Sequence, residues 1–477
     1  MSKVLLIGMS PLPFENDRKV YGTGIRTWQF LQPLLGAGHE VCLVSFAIPS
    51  AYPEGFGSKH IKKFSFKDTS FAYHLLDAGD FNDTALLSGI KDDFGPDCVI
   101  GCTFYPSYIA SKIKGGIPFW ADLFGHVMAE AQARAAIDDD DSCLFHYWNG
   151  EYNIISSADL FSCVCQRQEY ALIGELGAAG RLNRHTSGYA FTTSIPCGMP
   201  RQEYKHTKKV IRGQQGVGDD DFVFLWTGGY NTWTDIDTLF SALQKAMAKD
   251  SSIRFVSTGG EIPEQDTKTY PKFLSLIENS RYRERFIMKG WIRGEDVPNY
   301  YLEADAGINI DKDIYEVRLG SKNRILDWMR AGLCVLSSNV CELTQIIEDE
   351  GIGYTFRPHD SQDLCRKLLH LASHREETRS VGQKGRDYGL ENFNFSTTTV
   401  KLKEWAASPC HAPDFSKEKK IFFDKEEALK KLESISCGQK KVIAEKDKRI
   451  SELKAVLDRG FAYRAYHYMR ALKRKIR

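Results

Sequence analysis

The feature that most constrains this chain is an alternation of short apolar runs with longer amphipathic segments. The first half contains the runs KVLLIG, HEVCLVSF, DCVIGCT, IPFWADLFG, ADLFSCVC and TSIPCGMP. Nearly continuous apolar strands joined by helices are typical of a parallel sheet that is covered on both faces. The alternation then starts again at DFVFLWTGG, and IRFVSTGG, RFIMKGW, DAGINID and LCVLSS follow it. The sequence therefore predicts two doubly wound α/β units.

The length of 477 residues also favours more than one domain. We predict three regions, which are residues 1–204, residues 205–408 and a helical tail over residues 409–477. Ligands of doubly wound sheets bind beyond the carboxyl ends of the strands. Two such units that face each other predict a cleft between them as the binding site.

Composition restricts the class of protein. The chain is 42% apolar and 26% charged, which is typical of a globular protein. Its twelve cysteines include no C-x-x-C pair, so we expect buried thiols in a reducing compartment. The first ten residues predict a strand rather than a signal peptide. No apolar run approaches the roughly 20 residues that span a bilayer. We expect a cytoplasmic protein, with the inner face of the cell membrane as a further option.

The last region has its own pattern. Ile443, Ile450 and Leu457 are seven residues apart, which predicts a short coiled coil and a homo-oligomer. The last 19 residues contain seven cations and no acid, and aromatic residues lie between the cations. Three interpretations stay open, namely an interfacial helix on an anionic membrane, a binding site for an anionic polymer, and a solvated helix end.

The stretch RLGSKNRILDWMRAG places Lys322 and Arg324 at the start of a predicted helix, with Ser321 as its N-cap. Cations at this end oppose the helix dipole unless an anion binds there. A diphosphate would contact the loop amides at Gly320 and both cations. Asp327 lies three residues after Arg324 on the same face and would accept hydrogen bonds from ribose hydroxyls. The structural alternative is a surface ion pair between Arg324 and Asp327.

The same stretch resembles the nucleotide-binding segment of GT-B fold glycosyltransferases, especially the retaining, family 4-like enzymes. RILDWMRAGLCVL is similar to the family pattern K-L-F-E-Y/A-M-A-x-G-x-P-V-V. YGTGIRTWQFLQPLLGAGHEV resembles the glycine loop and first helix of the acceptor-side domain. KGWIRGEDVPNYYLEADAGIN resembles the segment that passes the nucleobase, and IPCGMP resembles the end of the first domain. The resemblance covers roughly residues 3–400.

The resemblance implies a GT-B fold of two Rossmann-like domains, with the acceptor side first and the nucleotide-sugar side second. It also implies transfer of a sugar from a nucleotide-sugar co-substrate to a glycan, lipid-linked or protein acceptor, with retention of configuration. We expect no other cofactor, no metal and no nucleic-acid partner. Arg324 matches the family's pyrophosphate-binding basic residue, and Asp327 matches the carboxylate that binds the ribose. The further donor-binding candidates of this chain are Gly228, Gly229, Asn231, Trp291, Gly320, Ser321 and Lys322. The acceptor-side loop that it implies is Gly22, Thr23 and Gly24.

The chain departs from the family pattern at the first of two glutamates, which have seven residues between them. Counting back from Asp327 gives Leu319, which carries no acid. Glu316 is the nearest candidate, and it either meets the donor sugar by another loop path or is an unrelated surface acid. The missing glutamate keeps two alternatives open, namely another GT-B enzyme such as a nucleotide-sugar epimerase, and an inactive scaffold.

A second candidate catalytic segment is PFWADLFGH in the first half. It falls where relatives carry an Asp/Glu-x-His-Gly segment, and Phe124 stands at the histidine position. Asp122 is therefore the first catalytic candidate of this segment, and His126 is the second. A histidine of this kind is often structural, so both interpretations of His126 stay open.

Overall fold

The computed structural model describes residues 1–15, 18–214, 216–263, 265–417 and 420–475, without the side chains of residues 420–426 and 475. The described chain divides into two compact units, Met1–Phe415 and Ser416–Arg477. The first unit contains both sheets, and the second contains one long helix.

The first sheet has eight strands in the order β3-β4-β2-β1-β5-β6-β7-β8. Its strands are β1 (Lys3–Ser10), β2 (Glu40–Ala47), β3 (Lys59–Phe66), β4 (Thr69–Leu76), β5 (Cys98–Cys102), β6 (Phe119–Leu123), β7 (Leu160–Cys163) and β8 (Thr192–Ser194). The second sheet has six strands in the order β11-β10-β9-β12-β13-β14. Its strands are β9 (Phe222–Thr227), β10 (Ile253–Thr258), β11 (Phe286–Gly290), β12 (Ala306–Asn309), β13 (Cys334–Ser338) and β14 (Tyr354–Phe356).

Helices cover both sheets. In the first half they are α1 (Gly22–Gly36), α2 (Ala78–Asn82), α3 (Thr84–Phe94), α4 (Phe104–Ile113), α5 (Val127–Asp138), α6 (Leu144–Ser157) and α7 (Gln166–Ala178). The next group is α8 (Ile236–Lys249), α9 (Thr269–Glu278), α10 (Val297–Glu303), α11 (Tyr315–Arg318), α12 (Asn323–Ala331) and α13 (Glu342–Asp349). The last group is α14 (Ser361–Ser373), α15 (Arg375–Asn392), α16 (Phe395–Thr398), α17 (Val400–Ala407) and α18 (Lys420–Lys475).

The apolar runs of the sequence form the central strands. β1 is buried over most of its length and pairs in parallel with β2 and β5. β9 is buried at every residue and pairs in parallel with β10 and β12. In both sheets the strand order reverses beside these first strands, so the loops after β1 and β9 lie where doubly wound sheets bind ligands. The prediction of two doubly wound parallel sheets is confirmed.

The edge of the first sheet differs from the prediction. β3 runs antiparallel to β4, which pairs in parallel with β2. No residue of β3 is fully buried, and its sequence KHIKKFSF contains three lysines. Lysines on an edge strand oppose pairing with another chain. The sequence interpretation searched for apolar runs and therefore missed this strand.

The chain returns to the first domain before it reaches the tail. α16 and α17 pack against α1, and the Trp405 ring lies 5.5 Å from that of Trp120. Arg181 and Asp414 form a buried ion pair of 2.6 Å. The structure thus places residues 395–415 on the first domain, whereas the sequence interpretation divided them between the second domain and the tail. The reason is packing between segments far apart in sequence, which no local pattern shows.

α18 forms the second unit. It contains 56 residues, and its described side chains from residue 427 to residue 474 are exposed. Among the described residues, no helix combines the length and the apolar content that a membrane crossing needs.

Candidate functional site

Two glycine-bearing loops meet the start of α12. A Cβ atom added to Gly22, the first residue of α1, would lie 3.0 Å from Nδ2 of Asn323. A Cβ atom added to Gly228, after β9, would lie 3.7 Å from Nη2 of Arg324. Gly228 has a φ of 87°, a left-handed conformation that favours glycine. The β1 loop of one domain and the β9 loop of the other therefore approach the same helix start.

The acceptor-side loop that the sequence predicted lies at this junction. Thr23 is in the first turn of α1, and its Oγ1 is buried with no hydrogen-bond partner among the described residues. A Cβ atom on Gly24 would lie 2.0 Å from the carbonyl oxygen of Pro11. Only glycine therefore allows the β1 loop to pass this close to the helix.

Arg324 projects from the first turn of α12 into this junction. Its guanidinium lies over the Trp226 ring at 4.0 Å, and Nη2 donates a hydrogen bond to the carbonyl of Gly229 at 3.2 Å. Its Nη1 is buried, and none of the residues that the structure describes accepts a hydrogen bond from it. Burial lowers the pKa of Arg324, which Asp311 opposes only in part. A guanidinium nitrogen that is buried without an acceptor is chemically suited to an anion.

Lys322 lies beside Arg324 but has acidic neighbours. Its Nζ lies 3.8 Å from Asp311 and 3.7 Å from Glu316, and it lies over the Trp233 ring at 4.8 Å. Burial alone would lower the pKa of Lys322, but Asp311 and Glu316 raise it above its ordinary value. Lys322 is therefore a buried cation that two carboxylates hold in place.

Glu316 is turned toward this lysine. Burial raises the pKa of Glu316 to about 7, a rise that Lys322 opposes. Its Oε2 accepts no hydrogen bond within the described parts of the chain, because the 3.7 Å to Lys322 is too long for one. The carboxyl group is thus poised to change its charge near neutral pH.

Asp327 lies one turn after Arg324, but the two side chains have different partners. The Tyr204 hydroxyl donates a hydrogen bond to Asp327 Oδ1 at 2.9 Å. Burial raises the pKa of Asp327, although Tyr204 and Arg330 oppose the rise. The alternative of a surface pair between Arg324 and Asp327 is therefore wrong. Instead, Arg324 packs over Trp226, and Asp327 is hydrogen-bonded by Tyr204.

The turn before α12 differs from the prediction in one respect. The helix begins at Asn323 with Lys322 at the N-cap, and no side chain caps it. The predicted cap at Ser321 is wrong, because Ser321 precedes the N-cap residue Lys322 and its side chain does not cap the helix. A Cβ atom on Gly320 would lie 2.7 Å from the Glu316 carbonyl oxygen, so this turn needs a glycine.

Two further predicted donor-binding residues shape the β9 loop. The Asn231 amide donates to Gln265 at 3.1 Å, and its Oδ1 accepts from the Thr232 amide at 2.9 Å. These bonds use one of the two amide hydrogens and one of the two oxygen lone pairs of Asn231, so its contact with the donor stays a prediction. Trp291 donates to the carbonyl of Glu261 at 2.9 Å. Its ring would lie 3.4 Å from a Cβ atom on Gly229, so it forms a wall of this loop.

Asp122 belongs to the core of the first domain. Arg26 donates two hydrogen bonds to it, at 2.6 and 3.0 Å, and the Ser162 hydroxyl donates a third at 2.6 Å. Asp122 and Arg26 are at most 1% exposed. The prediction that Asp122 is catalytic is therefore wrong, because the carboxylate neutralises a buried guanidinium and does not reach the cleft.

His126 lines a cavity of about 790 Å³ with Tyr315 and Leu319 from the second domain. Its Nδ1 accepts the amide hydrogen of Ala129, so Nε2 carries the proton and donates to Glu175 at 2.9 Å. Leu319, at the position of the missing family glutamate, thus faces His126 across this cavity.

Glu151 joins His126 and Glu175 in a cluster whose potential ligand atoms lie within 4.8 Å of one another. Burial and the charge of Glu175 raise the pKa of Glu151 to about 9. With Nδ1 accepting and Nε2 donating, the imidazole offers no lone pair to a cation in this arrangement. Glu175, through this hydrogen bond, holds the ring orientation of His126.

The sequence interpretation missed three residues that support the site. Trp226, Tyr204 and Asp311 hold Arg324, Asp327 and Lys322 respectively. Trp226 and Asp311 lie at or near the carboxyl ends of β9 and β12, where a topological rule places ligand sites. Tyr204 lies in the segment that connects β8 to β9, and no motif or periodicity in the sequence marks it.

Comparisons with known proteins agree with this architecture. Residues 221–374 match the family described as glycosyl transferases group 1. No curated protein sequence matches the chain significantly. A sucrose-phosphate synthase from Thermosynechococcus elongatus is 16% identical, with a TM-score of 0.65, over 85% of this chain and 98% of that chain.

Two other solved structures are similar. HepE from Anabaena, in complex with UDP and glucose, is 14% identical with a TM-score of 0.62, over 86% of this chain and 100% of that chain. An E. coli structure described as trehalose-6-phosphate bound with UDP-2-fluoro glucose is 12% identical with a TM-score of 0.61, over the same shares of the two chains. These similarities and the family match confirm the resemblance to GT-B glycosyltransferases. The chain is a GT-B fold protein whose residues 221–374 match glycosyl transferases group 1.

Proposed function

We propose that the chain is a glycosyltransferase that moves a sugar from a nucleoside diphosphate sugar to an acceptor hydroxyl. The observation that carries this proposal is the buried guanidinium of Arg324, which has an unused donor between two glycine loops. A diphosphate fits such a position because it brings several anionic oxygens to a cation and to backbone amides. Asp327, one turn further along α12, would accept hydrogen bonds from the ribose of this donor.

The mechanism follows from where charge develops. When the bond between sugar and diphosphate breaks, negative charge grows on the leaving group, and Arg324 and the loop amides stabilise it. Lys322 contributes less, because Asp311 and Glu316 already share its charge. Glu316, with a pKa of about 7, is our candidate for holding the sugar hydroxyls. Transfer occurs with retention, and a phosphate oxygen of the donor takes the acceptor proton, so no dedicated side-chain base is needed.

The identity of the donor is a further part of the proposal. The Anabaena and E. coli structures hold UDP with glucose and UDP-2-fluoro glucose. These ligands support a nucleoside diphosphate hexose as the donor of this chain. We propose that no metal takes part, since Arg324 and Lys322 supply the positive charge that a cation would otherwise bring.

The acceptor occupies the cavity beside His126. Leu319 and His126 line it from opposite domains, which fits a site where a sugar passes from donor to acceptor. We propose a glycan, lipid-linked or protein acceptor, and a place of action in the cytoplasm beside the inner face of a membrane. Closure of the two domains over both substrates would exclude water, which competes with the acceptor for the sugar.

The test of this function is Arg324→Ala in the full chain. We expect release of nucleoside diphosphate in the presence of acceptor to fall at least about tenfold, because the leaving group loses its main cation. Arg379→Ala, an exposed arginine on α15, is the matched control and should keep the wild-type rate. Donors are first selected with a thermal-shift panel of nucleotide sugars, since a bound ligand raises the melting temperature.

Three outcomes distinguish the alternatives. Wild-type turnover in Arg324→Ala contradicts the assignment of the diphosphate position. Conversion of the nucleotide sugar without any acceptor favours an epimerase-like GT-B enzyme. Nucleotide binding without turnover under any acceptor favours a scaffold protein, which the missing acid at Leu319 would explain.

A further inference from the structure

The end of α18 has one apolar face. Helical residues that are 4, 7, 8 and 11 positions apart lie on the same side. Starting from Phe461, these positions are occupied by Ala465, Tyr468, Met469 and Leu472. We call these five residues the apolar face.

The other side of the same segment is cationic. Arg459, Arg470 and Arg474 lie opposite the apolar face, together with Tyr463 and Tyr466. Two more cations, Arg464 and Lys473, lie roughly a quarter turn to either side of the apolar face. The segment contains no acid. The segment is therefore a strongly amphipathic helix, with an apolar side and a cationic side.

The apolar face is accessible. Phe461 is 77% exposed, Tyr468 is 70% exposed and Leu472 is 42% exposed. Single exposed apolar residues are ordinary on protein surfaces, but a contiguous row of large ones marks an interaction surface.

We propose that residues 459–474 form an interfacial helix that lies on an anionic lipid surface. The apolar face enters the boundary between headgroups and acyl chains, and the arginines and lysines bind the lipid phosphates. Arg464 and Lys473, at the edges of the face, extend their charged ends to the headgroup level. The inference depends only on α18 and therefore goes beyond the proposed glycosyl transfer.

Two other occupants fit less well. An anionic polymer would use the cations but would leave Phe461 and Leu472 in water. A second copy of the helix would have to continue the seam of Ile450 and Leu457, and that seam reaches Arg464 rather than the apolar face. A lipid surface uses the cations and the apolar row together.

The test compares two pairs of substitutions in the full chain. Phe461→Ser with Tyr468→Ser removes two aromatic rings from the apolar face. Tyr463→Ser with Tyr466→Ser removes two rings from the cationic side and is the matched control. Flotation is measured with vesicles of phosphatidylcholine alone and with vesicles that contain about one third phosphatidylglycerol. Circular dichroism checks that each variant keeps its helix content.

We expect the wild-type chain to float with the anionic vesicles and not with the neutral ones. The apolar-face variant should lose at least about tenfold in vesicle affinity, and the control should stay within about twofold. Arg470→Gln with Arg474→Gln should weaken binding mainly at low salt. Absence of wild-type flotation, equal binding to both vesicle types, or an equal loss in the two serine variants would overturn the proposal.

Discussion

Glu316 is a carboxyl group whose pKa burial raises to about 7. With a pKa raised to about 7, the folded protein holds a proton here that the unfolded chain releases near pH 4.5. The folded state therefore loses stability as pH rises between these two values, and no more is lost above them. The positive charge of Lys322, 3.7 Å away, stabilises the ionised carboxylate and so limits the rise in the pKa of Glu316.

Glu316→Gln removes this pH dependence. We compare the variant with the wild type at each pH. The variant should gain stability relative to the wild type between pH 5 and pH 8, by about 2 kcal/mol in the free energy of unfolding, and its relative melting temperature should rise accordingly. Differential scanning calorimetry at both pH values measures it, and Glu376→Gln on the surface of α15 is the control. The same difference at both pH values would contradict a raised pKa at this position.

At the residue scale, the sequence predicted the positions of side chains on their helices better than the residues with which those side chains interact. It located Arg324 and Asp327 correctly on one helix, because spacing within a helix is a local property. It gave Asp122 a catalytic role, because the Arg26 that pairs with it lies 96 residues earlier in the chain. It likewise placed the N-cap of α12 at Ser321, one residue before the observed N-cap at Lys322.

At the scale of one element, α12 carries both proposed nucleotide contacts on successive turns. In the proposed function, Arg324 on the first turn binds the diphosphate and Asp327 on the second turn binds the ribose. The helix is fixed by its buried side, where Ile325, Leu326 and Met329 pack into the core of the second domain. Binding of the diphosphate and binding of the ribose should therefore depend on different residues of the same helix.

Asp327→Ala tests this division. We expect the affinity for a nucleoside diphosphate to fall about tenfold, since hydrogen bonds to a charged group contribute roughly 1.5–3 kcal/mol. The affinity for inorganic pyrophosphate should be unchanged, because it has no ribose. Both affinities are measured by titration calorimetry. Tyr204→Phe removes the hydroxyl behind Asp327 and controls for a loss of side-chain position alone. An equal loss for both ligands in Asp327→Ala would contradict the ribose role.

The elements themselves were predictable where burial governs their sequence. The central strands β1 and β9 are apolar over most of their length, so the sequence revealed both. β3 contains three lysines and two phenylalanines at a solvated edge, and β14 has only three residues. Neither strand leaves an apolar run that a single sequence can show.

At the scale of the whole molecule, α18 predicts self-association. Ile443, Ile450, Leu453 and Leu457 form one exposed row, between 50% and 71% exposed, and a helix of this length needs a partner for such a row. We expect the full chain to have the mass of a dimer in light scattering, and Ile443→Asp with Ile450→Asp to have the mass of a monomer. Val456→Asp lies off the row and should remain dimeric. A monomeric wild type would contradict the coiled coil.

The paired crossings between the two sheets have a mechanical consequence. The chain leaves the first domain near Met199 and returns at Phe395, and these crossings lie side by side because the Met199 amide donates to Phe393 at 2.8 Å and its carbonyl accepts from Phe395 at 3.2 Å. The second domain is thus an insertion whose entry and exit coincide. Because the two tethers are adjacent, we expect rotation about this point rather than sliding between the domains, so that substrate access would depend on an angle.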